Sequence, residues 1–315
     1  MGVIFKREWK EYIHSLRTYI CMALILAVCG LMLVVENLIE GSPNFEYTLL
    51  GGEITLILLV LVAGPCMGAE RRAGMDRFYR SLPLSATEVV IGKYMALLCV
   101  WAVPCAILAV YPPILGLYGA VNYVGAYTSL LCFFLLGAAL LAVCQFISSL
   151  FDYTWIPAAV GALALVMLYF LPDVRGWFPT SPLASYLAFL VLSLLLAIAA
   201  WAVTRHLTVA AVSGAVLVLP LSILYLVKGE WFAGAFATVA AEASPFLHFE
   251  NVTTLGILSL TDIVALLSFA GLFVFLAILS AERSVRRSRV REDADSDLDE
   301  EPAESAVEAA EKGGV

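Results

Sequence analysis

The side chains able to do chemistry are few and scattered. The 315-residue chain has three histidines, His14, His206 and His248; they lie far apart along the chain, no H-E-x-x-H zinc motif occurs, and no metal site is assigned. A serine nucleophile can be drawn at Ser213-Gly214, but no histidine falls within another apolar span to act as its base. Gly92-Lys93 has the dipeptide of a phosphate-binding loop without its frame: Thr87 stands where the first glycine belongs, and Tyr94 replaces the Ser or Thr. The seven cysteines, Cys21, Cys29, Cys66, Cys99, Cys105, Cys132 and Cys144, all lie in or beside apolar stretches with no C-x-x-C pair. They read as small apolar packing residues rather than as a disulfide framework or a zinc site. Glu53 is the one carboxylate well inside an apolar run. In an ion-driven carrier it would be a substrate or proton group; its place near the outer end of the run favours an interfacial residue reached by water. No catalytic residue is assigned, and this chain is expected to be neither an enzyme nor the binder of a cofactor.

What positions these groups is a membrane chain. Apolar residues make up 62% of it and charged ones 14%, with a mean hydropathy of +0.94, against roughly 45–50% and 25% in soluble domains. A soluble enzyme is thereby excluded, and the fold class is an all-α polytopic membrane protein. Apolar runs near 18–35, 50–69, 94–118, 127–151, 155–171, 183–203, 207–227 and 263–281 give eight spans at about 20 residues each. An even number puts both termini on one side. With the termini in the cytoplasm, Arg175 and Lys228 alone of the Lys and Arg residues fall outside, which satisfies the positive-inside rule. Glu36, Glu40, Glu46, Asp173, Glu230, Glu242, Glu250 and Asp262 then belong to the outer face. The net charge of −8 comes from the end of the chain, where residues 292–315 carry ten carboxylates against Lys312. It says nothing about a substrate, and no nucleic-acid partner is expected. Residues 4–17 are too charged for a signal-peptide core.

Three polar segments break the pattern. Residues 1–17 form a basic amphipathic helix with Phe5, Trp9, Tyr12, Ile13 and Leu16 on one stripe and Lys6, Arg7, Lys10, Glu11 and His14 opposite, a composition suited to the plane of the lipid interface. The first cytoplasmic loop carries Met75, Phe78, Tyr79 and Leu82 on one helical face; Pro83 ends that helix, and Ser85 with Glu88 makes a capping box for the next. The outer segment 228–262 alternates Phe232, Phe236, Phe246, Leu247 and Phe249 with charged residues, which predicts one or two short helices lying at or dipping into the outer leaflet. Ser259 and Asp262 offer a second capping pattern where the last span begins. The chain thus divides into the interfacial helix at 1–17, the transmembrane region at 18–281, and a basic then acidic tail at 282–315, disordered by composition.

The segments Phe5-Lys-Arg-Glu-Trp-Lys-Glu-Tyr12, Glu70-Arg-Arg-x-Gly74, Leu82-Pro-Leu-Ser85, Gly92-Lys93-Tyr94, His248-Phe-Glu-Asn251, Gly256-Ile-Leu-Ser-Leu-Thr-Asp262 and the Leu-Ser-Ala-Glu-Arg-Ser run at 279–284 occur in a familiar order. In that order and spacing the chain resembles the membrane permease subunits of type-2 ATP-binding-cassette (ABC) exporters, in particular the gliding-motility-type branch. The likeness covers both ends and the first loop; the middle is similar in hydropathy alone.

The resemblance implies an elbow helix at the N-terminus and a coupling loop built from Glu70, Arg71, Arg72, Gly74, Met75, Phe78, Tyr79, Leu82, Pro83, Leu84 and Ser85. That loop would dock on a separate ATPase subunit, where ATP and Mg are bound, while a second permease copy or a paralogue completes the pore. It also implies a multi-pass protein of a bacterial plasma or inner membrane. Met75 departs from the small polar residue usual after the glycine, and the two spans at 183–203 and 207–227 exceed the family's six. The other classes that fit the sequence are an ion-driven secondary transporter and a non-transporting membrane anchor of a cytosolic complex.

The topology is tested by single-cysteine labelling from outside intact cells. Positions Ser42, Asp173 and Glu242 are expected to react and Arg77 and Arg287 to stay protected; labelling at Arg77 contradicts the orientation.

Overall fold

The computed structural model describes residues 2–64, 66, 85–151, 153, 155–204, 207–255 and 259–283. These residues are helical throughout, with no strand among them. A backbone in lipid has no water to bond, so a helix, which satisfies its own N–H and C=O groups, is the form such apolar runs must take. Helix α1 covers Gly2–His14 and α2 Leu16–Met32, the latter widening into a π-helix over Leu33–Ile39. Helix α3 covers Glu46–Ala63, with a 3-10 stretch at Glu53–Leu59. Then come α4 (Ala86–Leu108), α5 (Tyr111–Leu115), α6 (Tyr123–Leu150) and α7 (Trp155–Phe170). They are followed by α8 (Val174–Trp177), α9 (Pro182–Thr204), α10 (Leu207–Val227), a 3-10 turn at Gly229–Phe232, α11 (Ala235–Glu242), α12 (Pro245–Leu255) and α13 (Leu260–Arg283).

Among the described residues five helical stretches are long and apolar enough to cross a membrane: Leu16–Ile39, Glu46–Ala63, Ala86–Leu115, Tyr123–Leu150 and Leu260–Arg283. The apolar stretches Trp155–Phe170, Pro182–Leu195 and Gly214–Val227 are shorter. The chain is thus a multi-pass helical membrane protein with five clear candidates for crossing where the hydropathy runs suggest eight.

The buried axis is α6. Small residues let its neighbours approach closely: Ala126, Cys132, Ala139, Ala142 and Cys144 are fully enclosed, and α3, α4, α7 and α12 all pack on it. Trp101 of α4 lies flat enough against Gly137 that any Cβ there would overlap the indole. Its Nε1 donates to the Phe134 carbonyl at 3.0 Å, and its ring continues through Phe133 to Phe249 of α12. At the start of α6 the Asn122 side chain accepts from the Gly125 N–H. The Glu46 carboxylate lies over the same turn, where a Cβ on Gly125 would fall. Glu46 is buried, 4% exposed, beside the N-terminus of α6, where a helix dipole favours a carboxylate.

Helices α9 and α10 pair with one another through a Tyr186–Tyr225 stack and a contact between the Tyr186 and Ser222 hydroxyls. Phe189, Phe232 and Phe236 join this hairpin to the short helices that follow. Of those, α12 packs into the bundle, with Phe246, Phe249 and Val252 buried. Where α13 begins, Ser259 Oγ accepts from the Thr261 N–H and the Asp262 carboxylate turns to His248, so the expected S-x-x-D pattern is not a reciprocal box. The tail from 284 onward lies outside the described residues.

Gly137→Ala tests the central packing. Overpacking in a close-fitted core costs roughly 1–3 kcal/mol, so a lowered unfolding temperature in nanodiscs is expected, while Ala138→Gly, one position round the helix, changes it less.

Candidate functional site

Two places gather polar side chains inside this apolar molecule, one at each end of the bundle. At the end where α3 stops and α4 begins, α1 packs along α4. Its inward stripe is Ile4, Glu8 and Tyr12, all buried, spaced four residues apart and so on one face. Facing Glu8 is Lys93, in the second turn of α4. The two are 3% and 1% exposed, and Lys93 Nζ lies 3.8 Å from Glu8 Oε1. The same ammonium donates to the Cys66 carbonyl at 2.9 Å. Tyr12 donates its hydroxyl hydrogen to Cys66 Sγ at 3.0 Å, and Arg7 holds Glu8 from the exposed side at 3.1 Å. Ser85 and Glu88 form the reciprocal capping box expected from their spacing and start α4. Behind α4, Gln145 of α6 donates to the Val90 carbonyl at 2.8 Å, and Ser280 of α13 donates to the Ser149 carbonyl. Cys66 and Ser85 bracket residues 67–84; the buried cation and the N-terminal helix tie down the Cys66 side, and Ser85 caps α4 on the other.

Three members of the expected stripe on α1 stay together: Phe5 and Trp9, stacked 6.5 Å apart and half-buried, pack against the same core as the buried Tyr12. Ile13 is exposed, and Leu16 belongs to α2 because Ser15, with extended backbone, ends α1 at His14. The helix is thus shorter than 1–17. Of the loop residues, Ser85 is placed as a helix cap. Glu70, Arg71, Arg72, Gly74, Met75, Phe78, Tyr79, Leu82, Pro83 and Leu84 lie outside the described residues. Glu8, and the role of Lys93, escaped the reading of residue types. The available signal was positional: Glu8 sits four residues from Ile4 and from Tyr12, and a charge on such a stripe calls for a buried partner.

At the other end lies a cavity of about 400 Å³ whose wall includes Glu36, Tyr47, Glu53, Tyr169, Asp173 and Glu250. Glu36 comes from the π-helical turn of α2 and Glu53 from the 3-10 stretch of α3, so both irregular segments border the same space. Glu53 Oε2 is shielded there without a hydrogen-bond partner among the described residues. Beside it, His248 bridges Asp262 at 2.8 Å and the Glu242 carbonyl at 3.2 Å, and Arg175 pairs with Glu242 at 2.8 Å. Among the described residues no three His, Cys, Asp or Glu side chains converge as metal ligands.

Comparison with protein-family models, with curated proteins and with solved structures gives no match. The functional reading therefore rests on the residues and their geometry.

The Lys93 arrangement predicts a non-additive pair. Glu8→Leu removes the carboxylate facing a buried ammonium, and breaking such a pair costs up to roughly 3–5 kcal/mol. Adding Lys93→Met is expected to restore most of the lost unfolding temperature; additive losses would contradict the direct interaction.

Proposed function

We propose that this chain is the permease subunit of an ABC exporter, powered by ATP hydrolysed in a separate ATPase subunit that docks on the loop between Cys66 and Ser85. The observation that carries the reading is the clamp beside that loop: Lys93 of α4 and Tyr12 of α1 both hold Cys66 at the loop's first root, and Lys93 faces Glu8 of α1. A loop that only linked two helices would need no such anchorage, whereas one that receives force must pass it to more than one helix. In this reading α1 is the elbow helix at the cytoplasmic interface, both termini are cytoplasmic, and the apolar runs form eight spans of a bacterial plasma or inner membrane. A second copy or a paralogue lines the pathway opposite. ATP and Mg are held by the partner, and the lipid bilayer surrounds the rest.

The acidic cavity favours a second reading, an ion-driven secondary transporter in which Glu53 takes up the coupling ion. The two differ in energy source. Transport into vesicles on an ion gradient without ATP supports the second; dependence on ATP and on the partner supports the first.

The loop supplies the sharper test. The spacing of Met75, Phe78, Tyr79 and Leu82 suits one helical face, and apolar anchors of this kind carry most of an interface's energy. Phe78→Asp is expected to insert normally but to weaken ATPase capture by roughly thirtyfold or more and to abolish efflux. Arg77→Ala, off that face, is expected to leave both nearly intact. Full capture and efflux by Phe78→Asp would overturn the proposed docking.

A further inference from the structure

We propose that the cavity at the outer end of the bundle binds an organic cation, an ammonium group carried on an apolar body. The inference names a substrate class for the permease reading, and its place in transport rests on that reading; the binding itself does not. The cavity holds about 400 Å³, within the range of small-molecule sites. Its wall draws carboxylates from four elements: Glu36 from the π-helical end of α2, Glu53 from α3, Asp173 from the turn after α7, and Glu250 from α12. Among the described residues no Lys, Arg or His shares that wall, and Arg175, two residues on from Asp173, is paired with Glu242. Glu53 Oε2 is enclosed and accepts no hydrogen bond among the described residues. A shielded carboxylate oxygen calls for a partner, and the wall supplies no cation of its own.

The rest of the wall decides which cation fits. Tyr47, Tyr169 and Phe246 line the same space, with Tyr169 and Phe246 edge to face at 5.3 Å. A calcium ion takes about six to eight oxygens in a tight shell, yet among the described residues no three His, Cys, Asp or Glu side chains converge. The carboxylates stand around a room instead of meeting at a point. An alkylammonium spreads its charge over a larger volume and is attracted by aromatic faces as well as by carboxylates. Part of the wall is also fixed in advance. The buried Asn37 donates to the Ser42 and Asn44 carbonyls at 2.8 and 3.1 Å and accepts from the Thr48 hydroxyl, which fastens the end of α2 to the start of α3. Glu36 and Tyr47 are each one residue from a member of that network, so a ligand meets them on an ordered backbone.

The experiment measures binding of radiolabelled benzyltrimethylammonium and tetraethylammonium to the full-length chain in nanodiscs, with unfolding temperatures recorded to identify folded variants. One saturable site per chain is expected, weakened by rising ionic strength, and neopentylbenzene, uncharged and of the same shape as the first probe, is expected not to compete. Glu53→Gln and Glu250→Gln are each expected to weaken binding roughly tenfold or more, and Tyr169→Leu about three- to tenfold. Glu230→Gln, exposed and outside the cavity wall, is expected to leave it unchanged. No saturable binding of either cation would overturn the proposal, as would equal competition by neopentylbenzene, or binding that both glutamine variants leave intact. Displacement by Na⁺ or Ca²⁺ at lower concentration than by the unlabelled probe would overturn the organic-cation assignment. ATP-driven transport in proteoliposomes with the ATPase subunit is the separate test of the permease reading: its absence beside intact probe binding removes that reading and leaves the site.

Discussion

An ammonium group removed from water has to be surrounded by acceptors, and the loop end of this bundle is organised by that requirement at Lys93. Its two described acceptors come from different places in the chain, the Cys66 carbonyl and the Glu8 carboxylate, so satisfying one charge fixes the relative positions of α1, α3 and α4. Such a contact contributes little net stability compared with apolar packing. Its effect is on arrangement: Glu8 turns inward with Lys93 opposite it, and one turn along α1 Tyr12 reaches Cys66.

The rest of the bundle allows that end to act on the other. α6 runs from the capped turn at Asn122 beside Glu46 down to Ser149, where α13 meets it through Ser280. Its small residues bring α4 close enough for the Trp101 indole to lie on Gly137, and Trp101 continues through Phe133 to Phe249 on α12. The acidic cavity borders α2, α3 and α12 at the far end. α3 joins the two regions: Cys66 lies just beyond its end at Ala63, and Glu53, at the start of its 3-10 stretch, borders the cavity.

Much of this was legible in the sequence. Hydropathy located the apolar helices, since lipid leaves the backbone no other form, and the Ser85–Glu88 spacing gave a capping box that the structure contains. Burial was less legible, because it depends on what lies opposite. Ile4 and Glu8 widen the α1 stripe of Phe5, Trp9 and Tyr12 toward the core, and a count of apolar types passes over a buried carboxylate. Glu46 was placed on the outer face by topology; its burial against the start of a helix more than seventy residues later follows from tertiary packing. Glu53 could be placed near the outer end of its run but not in a cavity, because Glu250 and Asp173 reach the same space only through tertiary packing. The resemblance to exporter permeases drew attention to Gly92-Lys93-Tyr94, and geometry supplied the physical task for its lysine.

Site-specific photo-crosslinking in living cells tests the central claim most directly. A photoreactive amino acid at Tyr79, in the loop whose first root Lys93 holds, is compared with the same probe at Trp231, near the opposite end of the bundle. The account predicts that position 79 captures an ATP-binding-cassette subunit, that capture weakens when Glu8 and Lys93 are both replaced by charges of the same sign, and that position 231 captures none. Equal capture at both positions, or none at position 79 in a protein that is folded and in the membrane, would contradict it.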